Sequence, residues 1–434
     1  MDGSHPRGFF LIRSGLFLLL VVPATGLAED WPQWRGINRD GKWTESSVIK
    51  EFGSTKLTPQ WSVPIGSGYS GPTVADGRVF VMDRKRNPDV ERVICIDEST
   101  GKKLWTHKYD CEYTINYEAG PRASVTVDGN RAYGLGAMGN VCCLNTTNGE
   151  VFWELDLKQH YKIKMPIWGL AGSPLIYNDI VVLHISGKQG ACVVGLDKSN
   201  GEERWRALDD RGQYSSPIIV KQAGQDVVVV WTGDSVSGLD PLSGKVHWRY
   251  PFLPKNMPIG IATPIVEKDK LFVTSFYDGS LMLKLLDDEV DVELLWEDCG
   301  QSEKRTVALH SIISTPLFKN GYLFGCDSYG ELRCLDPETG KRIWEDKTAT
   351  PRDRWSNLHF VENGNDVWMF NEKGELIISE LSKDGFKEKS RAKLIEPTTE
   401  QLRRGVCWSH PAFANRHVII RNDKEIIRVS LEAR

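Results

Sequence analysis

The sequence predicts an all-β fold, an eight-bladed β-propeller of four-stranded antiparallel blades, and three observations carry that prediction. A hairpin turn followed by tryptophan recurs along most of the chain. The recurrence has the length of one four-stranded meander. An orphan strand near the start answers a missing strand at the end, so an N-terminal strand completes the last blade and leaves no open sheet edge.

The turn is clearest at Cys334-Leu335-Asp336-Pro337-Glu338-Thr339-Gly340-Lys341-Arg342-Ile343-Trp344. Asp336 can accept backbone N–H groups, Pro337 pre-sets φ, and Gly340 supplies the left-handed residue that returns the chain to the next strand. The same order runs from Asp97 through Gly101 to Trp105, from Asn145 through Gly149 to Trp153, from Asp197 through Gly201 to Trp205, and from Asp240 through Gly244 to Trp248; Trp296 ends a copy that has lost its glycine turn. Counted from Trp61, the tryptophans follow at steps of 44, 48, 52, 43, 48 and 48 residues. The 40 glycines, 21 prolines and 15 tryptophans of the 434 residues suit short strands with tight turns, and repeats spanning nearly everything argue for one array instead of several domains.

In chain order, residues 1–28 form a secretory signal peptide: Arg7 and Arg13 precede the apolar run from Leu16 to Val22, and Gly26-Leu27-Ala28 places cleavage after Ala28. The propeller then takes residues 29–434, with no integral membrane segment once the leader is gone. A polar connector follows Trp31-Pro32-Gln33-Trp34-Arg35-Gly36, and Gln60 to Val63 is the orphan strand carrying Trp61. Six units follow, later ones opening at Gly172-Ser173-Pro174, Ser215-Ser216-Pro217, Ala262-Thr263-Pro264 and Ser314-Thr315-Pro316. A seventh unit lacks both tryptophan and glycine turn, its last strand expected at Ala392 to Ile395. The segment from Pro411 to Leu431 supplies only three strands. Each repeat tryptophan is expected to pack on the neighbouring blade, a structural role whose loss costs about 3–5 kcal/mol.

The formal charge of −4 argues against a nucleic-acid partner. Nine cysteines leave at least one unpaired. Cys95, Cys143 and Cys334 fall at one repeat position, where other copies carry Gly195 and Gly238, and this reads as a small buried slot instead of a disulfide framework.

The Leu-Asp-x-x-(Thr/Ser/Asn)-Gly-(Lys/Glu)-x-x-Trp ending resembles the pyrroloquinoline quinone (PQQ) repeat, which builds eight-bladed propellers in quinoprotein dehydrogenases and in the BamB-type outer-membrane assembly protein. The resemblance covers about Trp31 to Leu431, and Trp31 to Gly36 with Gly68 to Pro72 are similar to exported, enzyme-less members. In the dehydrogenases the resemblance implies a cofactor in the central funnel, roofed by a disulfide between adjacent cysteines, floored by tryptophan and bridged to calcium by Glu, Asn and Asp. Cys142 and Cys143 are adjacent here, but Cys143 keeps the register of Cys95 and Cys334, so strand alternation sends the pair to opposite faces. The turn aspartates are better explained as hairpin caps than as calcium ligands.

The loops leading from one blade to the next are where the copies diverge, and they form the expected recognition surface. Several are basic and aromatic, with Lys158, Lys162 and Lys164, Lys304 and Arg305, Arg352 and Arg354, and Arg403 and Arg404. These are read either as ordinary solvated charge or as an electropositive mouth. Tyr69, Arg122, Trp168, Tyr214, His310, Trp355, His359, Trp408 and His410 are the candidate contacts. The expectation is a periplasmic or secreted scaffold without cofactor or metal, binding an envelope protein, a polymer or a small anionic ligand. PQQ with calcium, in an oxidoreductase of alcohols or sugars, is the alternative, and a BamB-like assembly factor is the third reading.

Overall fold

A computed structural model describes residues 1–3 and 29–433; residues 4–28 of the expected signal peptide, with its expected cleavage site, lie outside the described residues. Eight four-stranded antiparallel sheets form the ring. Blade 1 runs through Thr73–Ala75, Arg78–Lys85, Val90–Asp97 and Lys103–Asp110. Blade 8 takes Ala412–Ala414, His417–Arg421 and Glu425–Ser430 from the end of the chain and Trp61–Pro64 from its start. Trp61 stands opposite Arg428 and Val63 opposite Ile426 in that antiparallel pair. Blade 7 is Leu358–Asn363, Asp366–Asn371, Glu375–Ser382 and Gly385–Lys393. Its outer strand thus begins seven residues before the expected Ala392, because a tight Ser382–Gly385 hairpin replaces the longer repeat turn. Among the described residues no helix is long and apolar enough to cross a membrane.

The repeat turn has two jobs. Asp97 Oδ1 accepts from Thr100 N (2.8 Å) and Asp240 Oδ1 from Ser243 N (2.7 Å), while the Ser199 hydroxyl is the main cause that holds Asp197 down to about 2. These are the hairpin caps that the sequence implies. The second job is docking the preceding blade. Trp61, Trp105, Trp153, Trp205 and Trp296 donate Nε1–H to the carbonyls of Glu98, Thr146, Lys198, Pro241 and Pro337 (2.7–3.1 Å), in each case the residue after the turn Asp or Asn. Each indole also lies on the turn glycine, where a Cβ would come 2.5–2.9 Å from the ring. Trp248 meets the blade of Ile265–Glu267, Lys270–Ser275, Gly279–Leu285 and Val292–Asp298, which lacks the turn, and its Nε1–H goes instead to Gln222 Oε1 of its own blade (3.0 Å).

The small slot is explained by the same indole. Cys95, Cys143, Cys334, Gly195 and Gly238 each stand opposite the tryptophan of their own blade, though Met282 takes the position opposite Trp296, so it is not confined to Cys or Gly. All nine cysteines are free thiols. Cys142 packs in the core shared with blade 1 and Cys143 in the core shared with the next blade, Leu175–Tyr177, Ile180–His184, Val193–Asp197 and Glu203–Ala207, on opposite faces of their strand.

Candidate functional site

A strap outside the blades closes one end of the central axis. Trp31 exchanges both backbone hydrogen bonds with Val74, Val127 N–H donates to Pro32 O (2.8 Å), and further on Trp43 N–H donates to Glu362 O (2.8 Å). Between these anchors Arg39, only 3% exposed, donates to Ser173 O (3.2 Å), Pro217 O (3.0 Å) and Pro174 O. Burial pushes its pKa down to about 9, and blade-start carbonyls stand where a carboxylate would usually be. Arg39→Met removes a buried charge but leaves Ser173 O and Pro217 O without a donor, while Pro174 O keeps the Thr126 hydroxyl (2.6 Å). A net loss of about 1–3 kcal/mol is expected in urea unfolding, and an unchanged midpoint would show that the strap is not a structural member.

The strap also carries Trp34 into the axis. Its Nε1–H donates to Thr263 Oγ1 (2.8 Å) and its ring meets His410 edge-on, with centroids 4.2 Å apart. At the other end the inter-blade loops converge, and Tyr117 packs against Trp168, Trp355 and Trp408 from three loops, with centroids 5.5–6.3 Å apart. Tyr117 holds φ at +55°, a left-handed conformation uncommon for a non-glycine residue, so its placement in the mouth is imposed by the loop. Between Trp34 and Tyr117 lies a cavity of about 140 Å³.

Eight of the nine sequence-derived candidates line it: Tyr69, Arg122, Trp168, Tyr214, Trp355, His359, Trp408 and His410. His310 stands apart, fully buried, with Nδ1 facing Phe276 O (3.0 Å) and Nε2 accepting from Gly300 N–H (3.1 Å). It anchors a loop. Sequence reasoning missed Trp34, Tyr117, Ala171, Ser216, Ile261, Ile312 and Ile313. One signal was available for three of the missed lining residues. Tyr69, Ala171, Tyr214, Ile261, Ile313 and Trp408 all sit three residues before the proline that opens an innermost strand, where a propeller brings its blades to the axis.

The mouth is less electropositive than its composition implies. Arg352 pairs with Glu331 (2.5 Å) and Arg404 with Glu372 (2.9 Å). Arg354 lies over the Trp355 ring, 4.8 Å from its centroid. Within the cavity the single charged group is Arg122, which donates to Asn116 O (3.0 Å), Tyr117 O (2.5 Å) and Gly120 O and lies over Tyr69.

The histidines are poorly placed for acid–base chemistry. Burial drives His359 down to about 4 and His410 to about 3, far below the range of an efficient general base at neutral pH. His410 Nε2 lies 2.7 Å from Ser124 Oγ and its Nδ1 faces Pro411 O (3.1 Å), an arrangement with the outline of a nucleophile and base. Ser124 is fully buried and does not reach the cavity wall. Nor do the residues fit a calcium-bridged quinone: no carboxylate lines the cavity, and among the described residues no group of His, Cys, Asp or Glu is placed to hold a metal ion.

The fold and the funnel define a PQQ-like repeat propeller with a closed floor. The family model described as outer membrane protein assembly factor BamB matches residues 55–189, 89–283 and 193–391, and the chain belongs to that family. BamB of Yersinia pestis is 22% identical over 354 residues, which cover 78% of this chain and 70% of that protein. A quinoprotein ethanol dehydrogenase of Pseudomonas aeruginosa is 27% identical over 242 residues, 46% of this chain and 37% of the other. The chain thus spans about a third of the length of the quinoprotein ethanol dehydrogenases it matches. Among solved structures, BamB of Moraxella catarrhalis superposes with a TM-score of 0.57 at 15% identity, over 86% of this chain and 99% of that one. A europium-containing methanol dehydrogenase gives 0.62 at 13%, over 92% and 90%. At these identities the likeness is one of fold.

Proposed function

We propose that the protein is a non-catalytic binding propeller of the cell envelope, engaging its ligand or partner at the aromatic funnel and the loops around it. The observation that carries the reading is the funnel itself: an apolar, aromatic-walled cavity whose histidines are held neutral and tied to backbone carbonyls, and whose single charge is spent on its own loop. Such a site has walls for binding and no acid–base pair for turnover. An envelope location is supported by the family match and by the basic-then-apolar leader of residues 1–28.

A partner protein in envelope assembly is the specific form favoured by the extent of the likeness, since BamB relatives are matched over most of their length whereas the ethanol dehydrogenases are matched over about a third. The test has two arms. Incubation with PQQ and calcium followed by dye-linked assay of alcohols and sugars is expected to give no turnover, and stoichiometric holoenzyme would overturn the proposal. Capture from an envelope fraction is expected to retain a component that is lost with Trp408→Ala; retention unaffected by funnel substitutions would move the binding surface elsewhere.

A further inference from the structure

The polar atoms on the funnel wall fall into two groups, those already used and those still free. Tyr69 Oη accepts from Gln401 Nε2 (3.0 Å) and Tyr214 Oη from Trp168 N–H (3.4 Å). Ser216 Oγ accepts from Ser173 N–H (3.0 Å). Each of these hydroxyls keeps its own proton to donate, along with some acceptor capacity. Trp355 is 7% exposed, and its Nε1–H has no acceptor in the structure; a buried, unpaired N–H is costly and awaits an acceptor. Arg122 adds a positive charge whose partners are carbonyls alone. His359 Nδ1 is left as an acceptor because Nε2 faces Trp408 O (3.0 Å), but the one charge on the wall is positive and no carboxylate lines it.

The rest of the wall is ring faces and aliphatic carbons. Trp168 and Tyr214 lie 34° from parallel, and Tyr69 and Trp408 lie 30° from parallel. A sugar would bring several hydroxyls, each both donor and acceptor, to a wall with few places to satisfy them. A calcium-bridged quinone needs carboxylate ligands that the wall does not have.

We propose that the funnel binds a small flat acid, one or two fused apolar rings bearing a single carboxylate, with the rings against the aromatic wall and the carboxylate drawn by the Arg122 charge and the unpaired Trp355 Nε1–H. The proposal rests on the funnel being a binding site and names its ligand class. The cavity volume of about 140 Å³ favours a compact molecule.

The test uses the whole secreted chain and three probes that share one ring system: 2-naphthoate, 2-naphthylmethanol and 2-naphthylmethylammonium, read by quenching of tryptophan fluorescence and by equilibrium dialysis. Naphthoate is expected to bind roughly tenfold or more tighter than the ammonium probe, the scale of one charge-assisted hydrogen bond. Arg122→Gln is expected to erase that preference and Arg122→Lys to keep it, which separates charge from loop structure. Trp355→Phe keeps the ring and is expected to weaken naphthoate about fivefold while leaving naphthylmethylammonium unchanged. Equal binding of anion and cation, tighter binding of PQQ with calcium than of naphthoate, or no binding of any naphthyl probe would each overturn the proposal. In the last case envelope capture still reads the scaffold role independently.

Discussion

Acidification from pH 8 to pH 5 is expected to lower the unfolding free energy by about 2 kcal/mol for each of His184, His359 and His410. All three are buried and held neutral, with burial as the first cause, His184 and His359 down to about 4 and His410 to about 3. His410 faces His359 and Arg35, which disfavour its charged form further; His184 has Ser215 O and Asp210 nearby, which oppose the effect of burial. In the unfolded chain each titrates near 6.5. Between about pH 6.5 and pH 4 the unfolded state therefore binds more protons than the folded one, and stability falls as pH falls. Urea unfolding at half-unit pH steps checks this. His410→Gln is expected to flatten the slope in that window by less than a third, since burial also holds His107, His310 and His417 down, and a pH-independent midpoint from 8 to 5 would refute the assignment of neutral buried histidines.

The second large effect lies between blades. Trp153→Ala is expected to cost about 3–5 kcal/mol, because the indole fills the interface and gives its N–H to Lys198 O (3.1 Å). Gly201→Ala is destabilising for two separable reasons. Its φ of +77° is costly for any residue with a Cβ, and that Cβ would lie 2.7 Å from the Trp153 ring. Combining the two substitutions relieves the clash but not the backbone cost, so the double variant is expected to lose less than the sum of the singles. Strict additivity in thermal or urea unfolding would mean that the glycine serves its own hairpin and not the tryptophan of the blade before it.

Most of the ring was legible in the sequence because its repeat writes one physical unit many times. Each step between successive repeat tryptophans measures a blade, and the strand at Trp61–Pro64 has no possible partner except the three-stranded end. The docking of tryptophan on the next turn was less visible, since motif order is read within a unit whereas the contact crosses from one unit to the next. Eight lining residues were found because strand starts converge on the axis. His310 shares that position in the chain, but Phe276 O and Gly300 N–H draw its ring into the wall between blades. Trp34 and Tyr117 escaped for a different reason. Both reach the axis from segments outside the repeat, one from the strap and one from the crown of a long loop, where no periodicity fixes direction. The basic loops stayed open between solvated charge and an electropositive mouth: charge can be counted in sequence, but the compensation of Arg404 by Glu372 (2.9 Å) belongs to the folded arrangement.

The pairing of Trp61 with Arg428 sets a timetable. The strand that seals the last sheet is made early and must wait, unpartnered, until nearly the whole polypeptide has been delivered. Contacts so distant along the chain are slow to form, and during the wait the orphan strand and the open edge at Glu425–Ser430 of the unfinished last sheet can join a second molecule as readily as each other. Refolding from denaturant is thus expected to be a race between self-closure and aggregation, won by dilution.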